Sequence, residues 1–85
     1  MPYSIALETA ARRDLAKLER VIGTRVSNAI DALEDEPRPS GCVKLAGQRQ
    51  HYRVRVGTYR IVYRVDDNVH LLTVERVQHR REVYR

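Results

Sequence analysis

Arg53, Arg55 and Arg60 are the residues of this chain whose type and spacing best suit chemistry. They lie in Tyr52-Arg53-Val54-Arg55-Val56-Gly57-Thr58-Tyr59-Arg60-Ile61-Val62-Tyr63-Arg64, two alternating runs around Gly57-Thr58. Glycine in the first loop position is what a two-residue type II′ hairpin turn requires. Such a turn pairs Val56 with Tyr59, Val54 with Ile61 and Tyr52 with Tyr63 on one apolar face. On the other face it sets Arg55 opposite Arg60, Arg53 beside Val62, and His51 opposite Arg64. Directly opposed like charges destabilise a hairpin, and no Asp or Glu occurs between His51 and Val65. A merely solvated basic face is the ordinary alternative, but such faces usually mix signs. This one reads as a surface built to meet an anion.

A phosphodiester suits it. Arginines bind phosphate bidentately and neutralise the charge that grows in a pentavalent transition state. Cleaving RNA without a metal also needs a proton taken from the 2′-OH and one given to the leaving 5′-oxygen. Arginine, with a pKa above about 12, is a poor base. The C-terminal tail His79-Arg80-Arg81-Glu82-Val83-Tyr84-Arg85 supplies better candidates. His79 has a reference pKa of about 6.5, and Tyr84 starts near about 10, with neighbouring arginines favouring its phenolate. Each also has an ordinary structural reading, as a polar surface residue or a ring packed on a core edge. An antiparallel last strand is expected to bring this tail beside the hairpin.

The elements that must position these residues are legible in outline. Tyr3–Leu7 reads as a short strand. Thr9 is expected to cap a helix through about Ile22, with Ala11, Leu15, Leu18 and Ile22 on one face and Gly23 as its stop. Thr24 then caps a second helix striped by Val26, Ile30 and Leu33. Pro37-Arg38-Pro39-Ser40-Gly41 ends that helix and opens a loop to about Gln50, with Lys44-Leu45-Ala46-Gly47 as a brief turn. After the hairpin come an Asp66-Asp67-Asn68 turn and a strand from Val69 to Val77, half-buried on both faces. The predicted class is α+β, in the order β-α-α-β-β-β. A helical hairpin packs on the apolar face of a small antiparallel sheet and leaves the arginine face open.

Composition bounds the function. Eighty-five residues make one domain, 1–85. The longest apolar run is three residues, so no membrane span or signal peptide is expected. The single Cys42 has no disulfide partner within the chain and points to a cytoplasmic location. His51, His70 and His79 lack ligand spacing, so no metal and no cofactor are expected. The net charge of +5 is uneven: residues 1–42 carry −1 and residues 43–85 carry +6. Nine of the ten basic residues in that second part are arginines, and tyrosines are interleaved with them. The expected partner is nucleic acid, with an acidic protein as the other fit. Lys44, Arg49, Arg64 and Arg81 are the expected nucleic-acid contacts around the catalytic candidates.

From Tyr3 to Tyr84 the chain resembles the RelE family of bacterial toxins. The resemblance rests on Val43-Lys44-Leu45-Ala46-Gly47, on the arginine hairpin, and on Val77-Gln78-His79-Arg80-Arg81-Glu82-Val83-Tyr84. It implies helices packed on a small antiparallel sheet. It also implies metal-independent cleavage of mRNA in the ribosomal A site by 2′-OH attack, with rRNA around it and a cognate acidic antitoxin as regulator. It assigns site roles to Arg53, Arg55, Arg60, Arg80 and Tyr84. The chain departs from the pattern at Gln78, where glycine is common, and at Arg53 and Arg55, where well-studied members carry lysine. Two alternatives stay open: a ParE-like toxin acting on DNA gyrase, and a non-catalytic module that binds RNA or protein through the same face.

Overall fold

The computed structural model describes residues 2–47 and 49–79. Their elements are β1 (Ser4–Leu7), α1 (Thr9–Ala16), α2 (Arg20–Ala32), β2 (Val43–Lys44), β3 (His51–Val56), β4 (Tyr59–Asp66) and β5 (Leu71–His79). The class is α+β as expected, with one five-stranded sheet in the order β1-β5-β4-β3-β2. The expected antiparallel meander is β3-β4-β5. Two edges extend it. β1 lies parallel to β5, and the segment read as a turn supplies β2, a two-residue strand antiparallel to β3.

The hairpin register is the one the alternation dictates. Val56 pairs with Tyr59, Arg55 with Arg60, Val54 with Ile61, Arg53 with Val62, Tyr52 with Tyr63 and His51 with Arg64. Gly57 has φ 59°, and Gln50 and His70 are the non-glycine residues at positive φ among those described. Thr58 is therefore not left-handed, which fits type II′ rather than type I′.

The helix boundary departs from expectation. α1 ends at Ala16, and the chain turns at Lys17-Leu18-Glu19, with Glu19 extended at ψ 148°. Leu18 N–H donates to the Leu15 carbonyl at 3.1 Å, a tightening that lets Leu15 and Leu18 both reach the core. Gly23 lies inside α2, its N–H bonded to the Glu19 carbonyl at 2.7 Å, so its conformational freedom is unused. Thr24 does not cap either. Its hydroxyl turns back to the Arg20 carbonyl at 3.0 Å, the usual fate of a threonine inside a helix.

The core lies between the helices and one face of the sheet. Ala11, Val26, Ile30 and Leu33 meet Ile61, Tyr63, Val65, Leu72, Val74 and Val77. On β5 this face follows the spacing 72, 74, 77 because of a bulge. Val62 pairs with Arg76 but Tyr63 pairs with Val74, so Glu75 is an extra residue. Simple alternation along the strand fails there, and that is why both of its faces look half-buried in the sequence. Among the described residues no helix is long and apolar enough to cross a membrane.

β1 covers the β5 edge only as far as Val74, whose carbonyl accepts from Glu8 N–H at 2.9 Å. Beyond it, Asp14 of α1 takes over. Its carboxylate accepts from Val77 N–H and from Arg76 Nε, each at 2.8 Å. Burial works against the charge, yet Arg76 and the Val77 N–H outweigh it and hold the carboxyl below its ordinary 3.8. Asp14→Ala should therefore destabilise the fold by about 1–3 kcal/mol in urea unfolding, since it orphans a half-buried backbone donor. Asp14→Asn, which keeps an acceptor, should cost less. Because the folded pKa is depressed, the stabilisation from charge is present above 3.8 and lost as pH falls through the lower folded value. The wild-type advantage over Asp14→Asn should shrink in that acid range in a pH series of melts.

Candidate nucleic-acid interface

β4 is paired on both edges, and the side it turns away from the helices carries Arg60, Val62 and Arg64. Arg60 is the member that burial singles out, at 3% exposed. It shares a cleft of about 340 Å³ with Arg53, Arg55, Val43, Val54, Ser40 and Gly41. Arg53 is half-buried and Arg55 exposed, so the three guanidinium-bearing residues run from the base of the cleft to its rim. None of the described residues that line it carries a carboxylate. The expected open face is thus a recess, with one arginine largely withdrawn from water. A cation in that position is less screened than one at the surface and acts more strongly on an anion brought to it.

The other wall of the cleft is the loop after α2, which the core holds in place. Tyr63 Oη donates to the Pro37 carbonyl at 2.8 Å. Burial, with Cys42 beside it, pushes that phenol above its usual pKa. Arg38 donates to Asp67 at 2.8 Å and to Tyr52 Oη at 2.9 Å, with its guanidinium 5.1 Å from the Tyr52 ring centre. Asp67 and Tyr52 hold Arg38 in its charged form, and Arg38 with Tyr3 holds the Asp67 carboxyl below its ordinary range. From this anchor a tight turn, Cys42 N–H to the Pro39 carbonyl at 3.0 Å, presents Ser40 and Gly41 to the cleft. Gly41, at φ 90°, takes the left-handed position of that turn.

The remaining candidates scatter. His79 pairs with Tyr59 and meets its ring edge-on, with centres 5.2 Å apart. Tyr59 packs on the core, so His79 lies on the helix side of the sheet, away from the three arginines. The bulge at Glu75 is the reason: it shifts the alternation, and Gln78 takes the place opposite Arg60. Lys44 pairs with Tyr52 and also points to the helix side, whereas its neighbour Val43 lines the cleft. Arg49 is exposed in the turn before β3, and its carbonyl lies 2.8 Å from His51 Nδ1. Arg80, Arg81 and Tyr84 lie outside the described residues.

Arg64 is on the arginine face but already engaged. It donates to Glu75 at 2.6 Å and to Glu8 at 2.9 Å, and both carboxylates favour its charged form. Glu75 also lies 3.1 Å from His51 Nε2. The stretch from His51 to Val65 contains no acid, but the neighbouring strand and the end of β1 bring two. Sequence reasoning missed this compensation because its source is the bulge and a residue 56 positions away. Among the described residues, no three His, Cys, Asp or Glu side chains come together to hold a metal.

Comparison with known proteins places this geometry. The family model described as ParE toxin of the type II toxin–antitoxin system, parDE, matches residues 5–84. Toxin RelG of Mycobacterium tuberculosis is 40% identical over 89 aligned residues, covering 100% of this chain and 99% of that protein. The toxin–antitoxin complex RelBE2 of the same organism contains a chain that superposes with a TM-score of 0.81 at 34% identity, over 93% of this chain and 99% of that one. A chain of the RelE–RelB complex of Pyrococcus horikoshii OT3 gives 0.83 at 27% identity, over 94% and 97%. With a family match over nearly its whole length and a full-length relative at 40% identity, the chain belongs to the RelE/ParE superfamily of type II toxin–antitoxin toxins.

Proposed function

We propose that this toxin is a ribosome-dependent mRNA endonuclease that cleaves by 2′-OH attack without a metal and so inhibits translation. The observation that carries the reading is the cleft in which Arg53, Arg55 and buried Arg60 meet. In the reaction the 2′-oxygen bonds to phosphorus while the bond to the 5′-oxygen breaks. The 2′-OH proton is lost and the departing 5′-oxygen gains one. The phosphorane gathers negative charge on its free oxygens, and the arginines are placed to offset it. Proton transfer needs a group other than arginine. With His79 on the helix side of the sheet, Tyr84 is the candidate that the family resemblance supplies, and Arg80 is the further charge stabiliser it implies.

The resting partner is an acidic antitoxin, supported by the antitoxin complexes of the relatives and by the three arginines that the cleft brings together. The second reading, a gyrase-directed toxin, is favoured by the match to the ParE family model. A cleavage assay on translating ribosomes, run beside a DNA-supercoiling assay, separates the two. Gyrase inhibition without mRNA cleavage would replace the nuclease reading.

Three outcomes are expected. Arg60→Ala should lower mRNA cleavage by roughly 10²–10³, the usual loss for one transition-state donor; wild-type rates in a folded variant would remove Arg60 from the site. The products should end in a 2′,3′-cyclic phosphate or 3′-phosphate and a 5′-OH, and cleavage should persist in chelator if ribosomal magnesium is preserved. A 5′-phosphate would show attack by water instead. Binding of a single-stranded RNA oligonucleotide should separate the arginines: Arg53→Gln or Arg55→Gln should each reduce the log–log salt slope by about 0.7. Arg64→Gln should leave that slope nearly unchanged, because Glu8 and Glu75 already neutralise the residue.

A further inference from the structure

The row of side chains crossing the sheet through Arg60 has one neutral member. Arg55 on β3, Arg60 on β4 and Gln78 on β5 are successive cross-strand partners. Val77, before Gln78, is 3% exposed in the core, and His79, after it, touches the core-side Tyr59. Gln78 between them therefore falls on the arginine side, half-buried. With strands about 4.8 Å apart, it stands one strand from Arg60 and two from Arg55. The next β5 residue on that side, Arg76, is drawn to Asp14 of α1.

We infer that Gln78 determines specificity by hydrogen-bonding the base that adjoins the phosphate held by the arginines, an inference that rests on the nuclease reading above. A phosphodiester offers acceptors only, and the arginines already supply donors in excess. An amide adds little to anion binding. What it adds is a donor and an acceptor side by side, the pairing partner of a base edge and above all of adenine. RNA-reading proteins recognise unstacked single-stranded bases through such edge contacts. The bulge at Glu75 gives this position to Gln78, since the register of the preceding pairs would bring Val77 opposite Arg60 instead.

The test is cleavage on translating ribosomes of an mRNA series in which each base flanking the cleaved bond is varied in turn. Wild type is compared with Gln78→Met, which removes both hydrogen-bonding groups, and with Gln78→Glu, which keeps the shape but accepts only. Thermal melts confirm that each variant is folded. The expected wild-type preference is for adenine at one flanking position. In Gln78→Met, kcat/KM at adenine should fall about tenfold, the order expected for lost hydrogen bonds, with a smaller loss at other bases, so the preference ratio collapses. Gln78→Glu should move the preference toward cytosine, which presents a donor. Equal loss at every base, or unchanged ratios in both variants while wild type cleaves, would overturn the role of Gln78 alone. A wild type that cleaves no mRNA would overturn the nuclease reading and this inference with it.

Discussion

The register of β4 is the constraint on which the site depends. This strand is paired along both edges, and Ile61, Tyr63 and Val65 form its part of the core floor. Side chains alternate faces with a period of two, so a slip of one residue would send Arg60 into the apolar core and Ile61 out of it. No such slip is tolerable: an unpaired buried cation costs several kcal/mol, on the order of the whole stability of a small domain. Apolar burial on one side of the strand thereby fixes the charged groups on the other. Tyr63 links the two functions directly, because its ring belongs to the core and its hydroxyl holds the loop that walls the cleft.

The charged face is two environments, not one. At one end, His51 and Arg64 share Glu75, and Arg64 also reaches Glu8. There the charges are matched and the group ties β3, β4 and β5 to the end of β1. At the hairpin end, Arg53, Arg55 and Arg60 are close together, and none of the described residues lining their cleft is an acid. Like charges so placed oppose folding, and an arriving anion relieves that repulsion as well as making its own contacts.

How much of this the sequence discloses follows from the range of each interaction. The hairpin is local: thirteen residues contain both strands and the turn, and all the pairs follow from alternation and one glycine. The α+β class follows from similar local patterns. The helix boundary does not, because Gly23 and Thr24 have the chemistry of a break while the packing of Leu15 and Leu18 sets the turn earlier. β2 is only two residues long, and its exposed Val43 and Lys44 carry no alternation to read. The site divides in the same way. Arg53, Arg55 and Arg60 were legible from the hairpin alone, whereas the pairing of Arg64 and the facing of His79 depend on β5, where one extra residue defeats any count by twos. Lys44 needed the pairing partner of an unrecognised strand.

That extra residue at Glu75 has a consequence for how such chains diverge. The bulge, more than residue choice, decides what β5 contributes to each side of the sheet. Substitutions after position 75 change one surface at a time, but a strand that kept every residue and ran flat through position 75 would exchange the two surfaces together, turning 77 and 79 outward and 76 and 78 inward, whereas removal of Glu75 itself would leave each residue on its present side. The hairpin, anchored through its own register, would keep its arginines in place throughout. A lineage can thus keep the arginine cleft of the hairpin constant and change the β5 surface beside it by gaining or losing the bulge. Chains of this fold that differ by one residue in the last strand should therefore be aligned by face before they are aligned by identity.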